Sequence, residues 1–207
     1  SCGLYDDSVV ALISDHGEMN GRRSLVDKGV YLHPDVLRVP MVIKLPRHTP
    51  ATQLHIDSPV SLLDLSQTLL DASGIQAQAK FDGTSLLPLM RGNSELNDRT
   101  LLFFGGWHIG VNFACGLQHR FPDGRHFLYS YNCSSAVDEL YDMKSNDADN
   151  LIDNPDYAAV REEMIRRLGT ALESDPRWGG YWTQFRLAHF ASLPMAEGDM
   201  QMYSSPL

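Results

Sequence analysis

Residues 9–44 read VVALISDHGEMNGRRSLVDKGVYLHPDVLRVPMVIK, and the alternation of apolar and polar runs within them decides the fold. Residues 9–13 are apolar on both faces, as suits a short strand buried inside a sheet that is covered on both sides. A second such run, 39–43, carries Pro40 at its start, where a missing N–H does least harm. Outward from this pair, Ser58-Pro59 reads as a cap followed by proline at the first helical position. Leu62, Leu65, Leu69 and Ala72 then recur at helical spacing, and Gly74 stands where a terminating glycine belongs. Strand, loop, strand and helix in this order predict an α/β core of buried strands with flanking helices. The strand at 9–13 needs neighbours that the residues before it do not supply. One sheet edge and one face of the 58–74 helix are therefore expected to be bare, with the remainder of the domain lying upstream.

Residues 83–94 mark a boundary, which divides the chain into 1–95 and 96–207. Short β-type runs follow at 100–104, 110–113, 126–131 and 139–141, with turns at Gly105-Gly106 and Pro122-Asp123-Gly124. They predict a small antiparallel sheet. Asn154-Pro155 opens a long helix whose stripe is Tyr157, Val160, Met164, Leu168 and Ala171, and Pro176 ends it. Trp178, Tyr181, Trp182 and Phe185 read as tail packing, with a sugar-stacking face as the alternative.

Composition narrows the function. The 207 residues carry 17 basic and 26 acidic side chains, a net charge of −9, which argues against a nucleic-acid phosphate binder. No apolar run approaches the ~20 residues that cross a bilayer. Cys2, Cys115 and Cys133 form no C-x-x-C pair, which excludes a zinc ribbon or a thioredoxin-type site. Cys115 and Cys133 read either as a bridge between neighbouring strands or as buried thiols.

Chemistry concentrates at Ser14-Asp15-His16-Gly17-Glu18, directly after the first strand, where ligands bind in open α/β sheets. Asp15 offers a hard oxygen and His16 a neutral imidazole nitrogen, two donors for one cation, with Gly17 permitting a close turn. Two donors do not complete a site, since calcium takes ~6–8 oxygens and zinc about four donors. Lys28 supplies a compact cation suited to a tetrahedral oxyanion.

The stretch SDHGEMNGRRSLVDKGVYLHPDVLRVPMVIKLP (14–46) resembles the second half of the sulfatase core. SPVSLLDLSQTLLDASGI (58–75), FDGTSLLPLMRG (81–92) and DELYDMKSNDADNLIDNP (138–155) extend the likeness. The chain is thus identified as the C-terminal half of a type I, formylglycine-dependent sulfatase of the alkaline-phosphatase-like superfamily. The resemblance implies that Asp15 and His16 ligate one divalent cation, calcium in most sulfatases, with magnesium, manganese or zinc as alternatives. It implies that Lys28 contacts the sulfate and stabilises charge on the leaving or bridging oxygen. Arg23 stands where the family has a histidine, and reads as an anion contact or a loop charge. Trp107 and His108, on a loop of the small sheet, read as facing the organic part of the substrate or as a buried indole and a turn histidine.

The family's C-x-[PA]-x-R motif is missing from these 207 residues, because none of the three cysteines is followed by arginine at the fourth position. The formylglycine, its arginine and the other half of the metal site are expected on a missing N-terminal part. That part is the expected partner, beside a sulfate ester substrate, and homo-oligomerisation stays open. The family favours a periplasmic or extracytoplasmic location. A phosphonate or phosphate ester hydrolase of the same superfamily, and a non-catalytic half-chain that binds its missing partner, are the competing readings.

Overall fold

The computed structural model describes residues 2–49, 51–53, 55–76, 78–93, 96, 98–106, 113–132, 137–145 and 149–190. The chain divides into two compact units. One comprises Ser1–Lys28, Asp35–Leu101 and Arg120–Gly124; the other comprises Gly29–Pro34, Leu102–His119 and Arg125–Leu207.

In the first unit the two apolar runs form β1 (Val10–Ile13) and β2 (Met41–Lys44), paired antiparallel with Leu12 opposite Val42 and Ile13 opposite Met41. Between them lies a short helix, α1 (Pro34–Leu37). Helix α2 (Leu63–Ala72) and the single turn α3 (Leu87–Met90) follow. Met41 and Ile43 pack on a core of Leu45, Leu86, Leu87, Leu89 and Met90. All four residues of β1 are nevertheless exposed, Leu12 at 61%. The burial expected for these strands is therefore not met within this chain. Among the described residues each strand has one paired neighbour, and Val10, Leu12 and Val42 are left exposed. Leu63 and Leu69 of α2 are exposed as well, which is the bare helix face anticipated from the sequence.

Helix α2 starts at Leu63, later than Ser58-Pro59 suggested; its N-cap residue is Leu62, and Ser61 and Asp64 bond across the turn that leads into it. The Ser61 hydroxyl accepts from the Leu63 N–H (3.2 Å), and the Asp64 carboxylate accepts from the Ser61 N–H (2.7 Å), a reciprocal arrangement. The fully buried Asp64 also accepts from the Thr84 N–H (2.8 Å) and, in a fork, from Arg99 (2.6 and 2.8 Å). Leu86 N–H donates to the buried Thr68 hydroxyl (2.9 Å). A Cβ on Gly83 would collide with the Leu63 carbonyl, so glycine is required where this segment crosses the start of α2. The sequence blocks at 58–75 and 81–92 are thus two halves of one packed unit.

The second unit holds a four-stranded antiparallel sheet in the order β3-β4-β5-β6, formed by Thr100–Gly106, Phe113–Arg120, His126–Asn132 and Glu139–Asp142. Gly105-Gly106 lies within β3 rather than in a turn. His119, whose place beside the Pro122-Asp123-Gly124 turn reads in the sequence as surface, is fully buried, because β4 runs to Arg120. Asn154 caps a short turn at Pro155–Tyr157 that runs into α4 (Ala158–Glu173), which buries Val160, Met164, Leu168 and Leu172. Asp175-Pro176 repeats this cap-and-proline device and starts a further helix, α5 (Gly179–His189), whose first two residues are glycines. Trp178 stacks on Phe104 (centroids 3.9 Å apart) with the Arg177 guanidinium over its ring (5.3 Å), so this aromatic group packs the tail rather than offering a sugar platform. The buried Tyr129 hydroxyl donates to Asp138 (2.5 Å), whose Oδ2 is 3.1 Å from Nε2 of His189 at the end of α5. Burial, then the Asp138 charge, pushes the Tyr129 phenol well up from its ordinary pKa. The Cys115–Cys133 pairing involves a residue outside those described; Cys115 itself is fully buried. No described helix is long and apolar enough to cross a membrane.

Candidate functional site

The turn after β1 is built by close packing of backbone on backbone. The Gly17 N–H donates to the Val36 carbonyl of α1 (2.7 Å), and a Cβ on Gly17 would run into the Asp35 carbonyl oxygen. Only glycine fits, which explains the third letter of the D-H-G run. The Ser14 hydroxyl donates to the His16 carbonyl (2.8 Å) and tightens the turn.

Asp15 and His16 come together there. Oδ1 of Asp15 accepts from the His16 N–H (2.9 Å), while Oδ2 lies 3.5 Å from Nε2 of His16. Nδ1 of His16 is 2.8 Å from the Gly17 carbonyl. A carbonyl only accepts, so this contact puts a ring proton on Nδ1, and in the neutral ring it points the Nε2 lone pair at the Asp15 carboxylate. Two lone-pair donors then face one another, an arrangement that a shared cation relieves. Donors at right angles around a cation held at ~2.3–2.6 Å stand about 3.3–3.7 Å apart, which matches the observed spacing. The hydrogen bond from Nδ1 to a backbone carbonyl is the usual support for a ligating histidine. The side chains are 86% and 38% exposed, so the pair is open on its outer side. Among the described residues no group of three or more His, Cys, Asp or Glu side chains is placed to hold a metal ion.

The Asp15 carboxyl is held below its ordinary pKa of 3.8, first by the His16 N–H, then by the His16 charge, its own N–H and the Lys28 ammonium, with desolvation opposing. Lys28 is exposed, and its charge reaches Asp15 from the far end of the connecting loop. That charge is the weakest of the influences on Asp15. Arg23 sits on the same loop, exposed, with φ 55° in the left-handed region. His108, with Trp107, lies outside the described residues.

Sequence reading passed over two residues here. Arg22 pairs its guanidinium with the Asp35 carboxylate. Asp35, directly after Pro34 at the start of α1, showed no chemical signal, because the partner that gives it meaning is thirteen residues upstream. A separate cavity of about 440 Å³, lined by Met41, Ile43, Ile56, Val60, Leu86 and Met90 with Gln53 and His55, is mainly apolar and contains none of the candidate residues.

The two-stranded ribbon ending in D-H-G, the α2–α3 core and the terminal sheet with a long helix are consistent with a sulfatase C-terminal domain. Residues 21–174 match the family described as N-sulphoglucosamine sulphohydrolase, C-terminal, and the chain belongs to that family. It is similar to the uncharacterized sulfatase YidJ of Escherichia coli (strain K12), 29% identical over 166 residues that cover 77% of this chain and 31% of the relative. It is similar to the choline-sulfatase of Rhizobium meliloti (strain 1021), 31% identical over 73% of this chain and 28% of the relative. It also matches the multifunctional alkaline phosphatase superfamily protein PehA of Trinickia caryophylli, 28% identical over 93% of this chain and 38% of that protein. The chain spans about a third of the length of the curated relatives it matches.

Proposed function

We propose that this chain is the C-terminal part of a formylglycine-dependent sulfatase. In this reading Asp15 and His16 complete the shell of a divalent cation and Lys28 contacts the sulfate. The observation that carries it is the carboxylate–imidazole pair at 3.5 Å beside the lysine charge. Calcium is the cation that the family resemblance favours; Asp15 offers it a hard oxygen, and the open side of the pair leaves room for more. A bound cation supplies Lewis-acid polarisation of a sulfate oxygen. Asp15 contributes negative charge to hold that cation, and the His16 ring is oriented by its Gly17 contact. Lys28 places its ammonium where charge builds on the bridging oxygen as the ester bond breaks. Arg23 is proposed as a second sulfate contact, and His108 as a contact to the alcohol portion. Residues 1–95 furnish the core and 96–207 the smaller subdomain.

The nucleophile and the remaining metal ligands belong, on this reading, to an N-terminal part that covers Val10, Leu12, Val42, Leu63 and Leu69. Their exposure, and relatives about three times as long, support it. An extracytoplasmic location accompanies the family reading. A second reading, hydrolysis of phosphate or phosphonate esters, is favoured by the similarity to PehA.

The test uses the full-length protein with paired sulfate and phosphate esters. Lys28→Met is expected to lower sulfate-ester turnover by ~10²–10³-fold, the cost typical of losing one transition-state charge donor. A chelator should abolish turnover, and calcium should restore it. Faster phosphate than sulfate hydrolysis moves the assignment to the second reading. The isolated chain should be inactive; turnover by the isolated chain that Lys28→Ala removes overturns the proposed division of labour.

A further inference from the structure

We infer that Asp35 is a positioning residue that fixes the two arms of the candidate site relative to one another. Its backbone seats the Asp15–His16–Gly17 turn, and its carboxylate, through Arg22, ties down the loop that carries Lys28. The inference rests on the site reading given above and adds to it a residue that touches neither cation nor sulfate.

The first arm is fixed by the Gly17 N–H to Val36 bond and by the approach of Gly17 to the Asp35 carbonyl, which no side chain at 17 allows. The second arm leaves the buried Met19 and immediately adopts left-handed backbone. Asn20, Arg23, Ser24 and Asp27 all have φ between 47° and 68°, conformations that non-glycine residues hold only when surroundings impose them. Within the loop, Arg22 N–H donates to Met19 (2.8 Å), Gly21 N–H to Leu25 (2.8 Å) and Leu25 N–H to Arg22 (3.0 Å). The Asp27 carboxylate accepts from the Lys28 N–H (2.6 Å) and closes the loop at the lysine. Arg22 is central to this knot, and its guanidinium is held by Asp35, the side chains being 44% and 32% exposed. A lysine has a long flexible stem, so what the fold can pre-organise is the point from which that stem leaves.

Two measurements test this. The first is amide hydrogen exchange on the chain itself. Asp35→Asn and Arg22→Gln should each speed exchange at Gly21 and Leu25 about fivefold, the ceiling for a partly exposed ion pair. Leu86 and Met143, whose N–H groups are bonded elsewhere, should not change. The exchanged pair Arg22→Asp with Asp35→Arg should restore protection. Unaltered exchange at Gly21 and Leu25 overturns the inference, whatever the protein catalyses. The second is sulfate-ester turnover by the full-length protein. Asp35→Asn should lower kcat about fivefold with KM little changed, and should lower nothing further in a Lys28→Met background, since coupled residues do not add. An equal fivefold loss in that background shows Asp35 acting apart from Lys28 and overturns the inference while leaving the sulfatase reading intact. Undiminished turnover in Lys28→Met alone removes the lysine's role, and with it both the site reading and this inference.

Discussion

β1 and β5 are both short, apolar and β-branched or aromatic in composition, yet one is exposed along its whole length and the other is buried at all five interior positions. The difference is neighbours. β5 lies between β4 and β6, Leu128 facing Tyr141 and Tyr129 facing Leu140 across the ladder, and α4 packs against it. β1 has β2 on one edge and nothing described on the other. Apolar patterning states that a strand is meant to be covered; it does not state by what. A terminal sheet with its own helices buries its strands by itself, whereas the ribbon that delivers the candidate site leaves apolar side chains exposed.

The sharpest way to break this comparison is to ask whether the first unit has any rigid core of its own. Asp64 says it does: a fully buried carboxylate with Ser61, Thr84 and both Arg99 nitrogens directed at it. Asp64→Asn leaves the Arg99 guanidinium, itself only 14% exposed, without its counter-charge, and should cost about 3–5 kcal/mol in urea unfolding. A loss under 1 kcal/mol would mean that the first unit is loosely held throughout and that the exposed ribbon is one symptom of it.

A paired substitution sharpens the contrast. Met164→Ala, on the fully buried stripe of α4, should cost ~2–5 kcal/mol through a cavity. Leu12→Ser on β1 should stay within about 0.5 kcal/mol in this chain, because its side chain already meets water. In the full-length protein the same serine should cost ~1.5–3 kcal/mol, the worth of a buried leucine. Equal small effects in both contexts would show that Leu12 is never covered and would remove the argument for an N-terminal partner on that face.

These contrasts also explain what could be read in advance. The strands other than β4, the α2 region, the long α4 and the D-H-G turn were legible because each rests on local periodicity or a local cap: Asn154-Pro155, for instance, needs only its own Asp156 N–H (3.0 Å); the run expected at 110–113 meets β4 (Phe113–Arg120) only at Phe113, 110–112 lying outside the described residues. α5 was hidden because its first two residues are glycines, and its burial comes from packing on α4, where Gly169 lets Phe185 and Phe190 approach. His119 read as polar surface because the extent of β4 depends on partners across the sheet. In the site, Asp15, His16 and Lys28 were legible as residue types following a strand. The Arg22–Asp35 tie was not, because two oppositely charged residues thirteen apart in a polar stretch have no pattern until the loop folds back.

The smallest effect tests whether surface charge in the second unit matters at all. On α4 Glu163 accepts from Arg166 (2.6 and 2.8 Å) and from Arg167 (2.7 Å). Its carboxyl is held below the ordinary 4.5, first by the Arg166 hydrogen bonds and then by the Arg166 and Arg167 charges, with burial opposing. A depressed folded pKa makes the unfolded chain bind the proton first as pH falls. The stabilisation is therefore complete above about pH 4.5 and lost as pH drops through the lower folded value. Glu163→Gln should cost ~0.3–0.5 kcal/mol at pH 7, the usual worth of an exposed helical pair, and nothing at pH 3. Urea midpoints of the two proteins should accordingly differ slightly at pH 7 and converge at pH 3. A difference that persists undiminished in acid would show that the Glu163 contribution does not come from its charge.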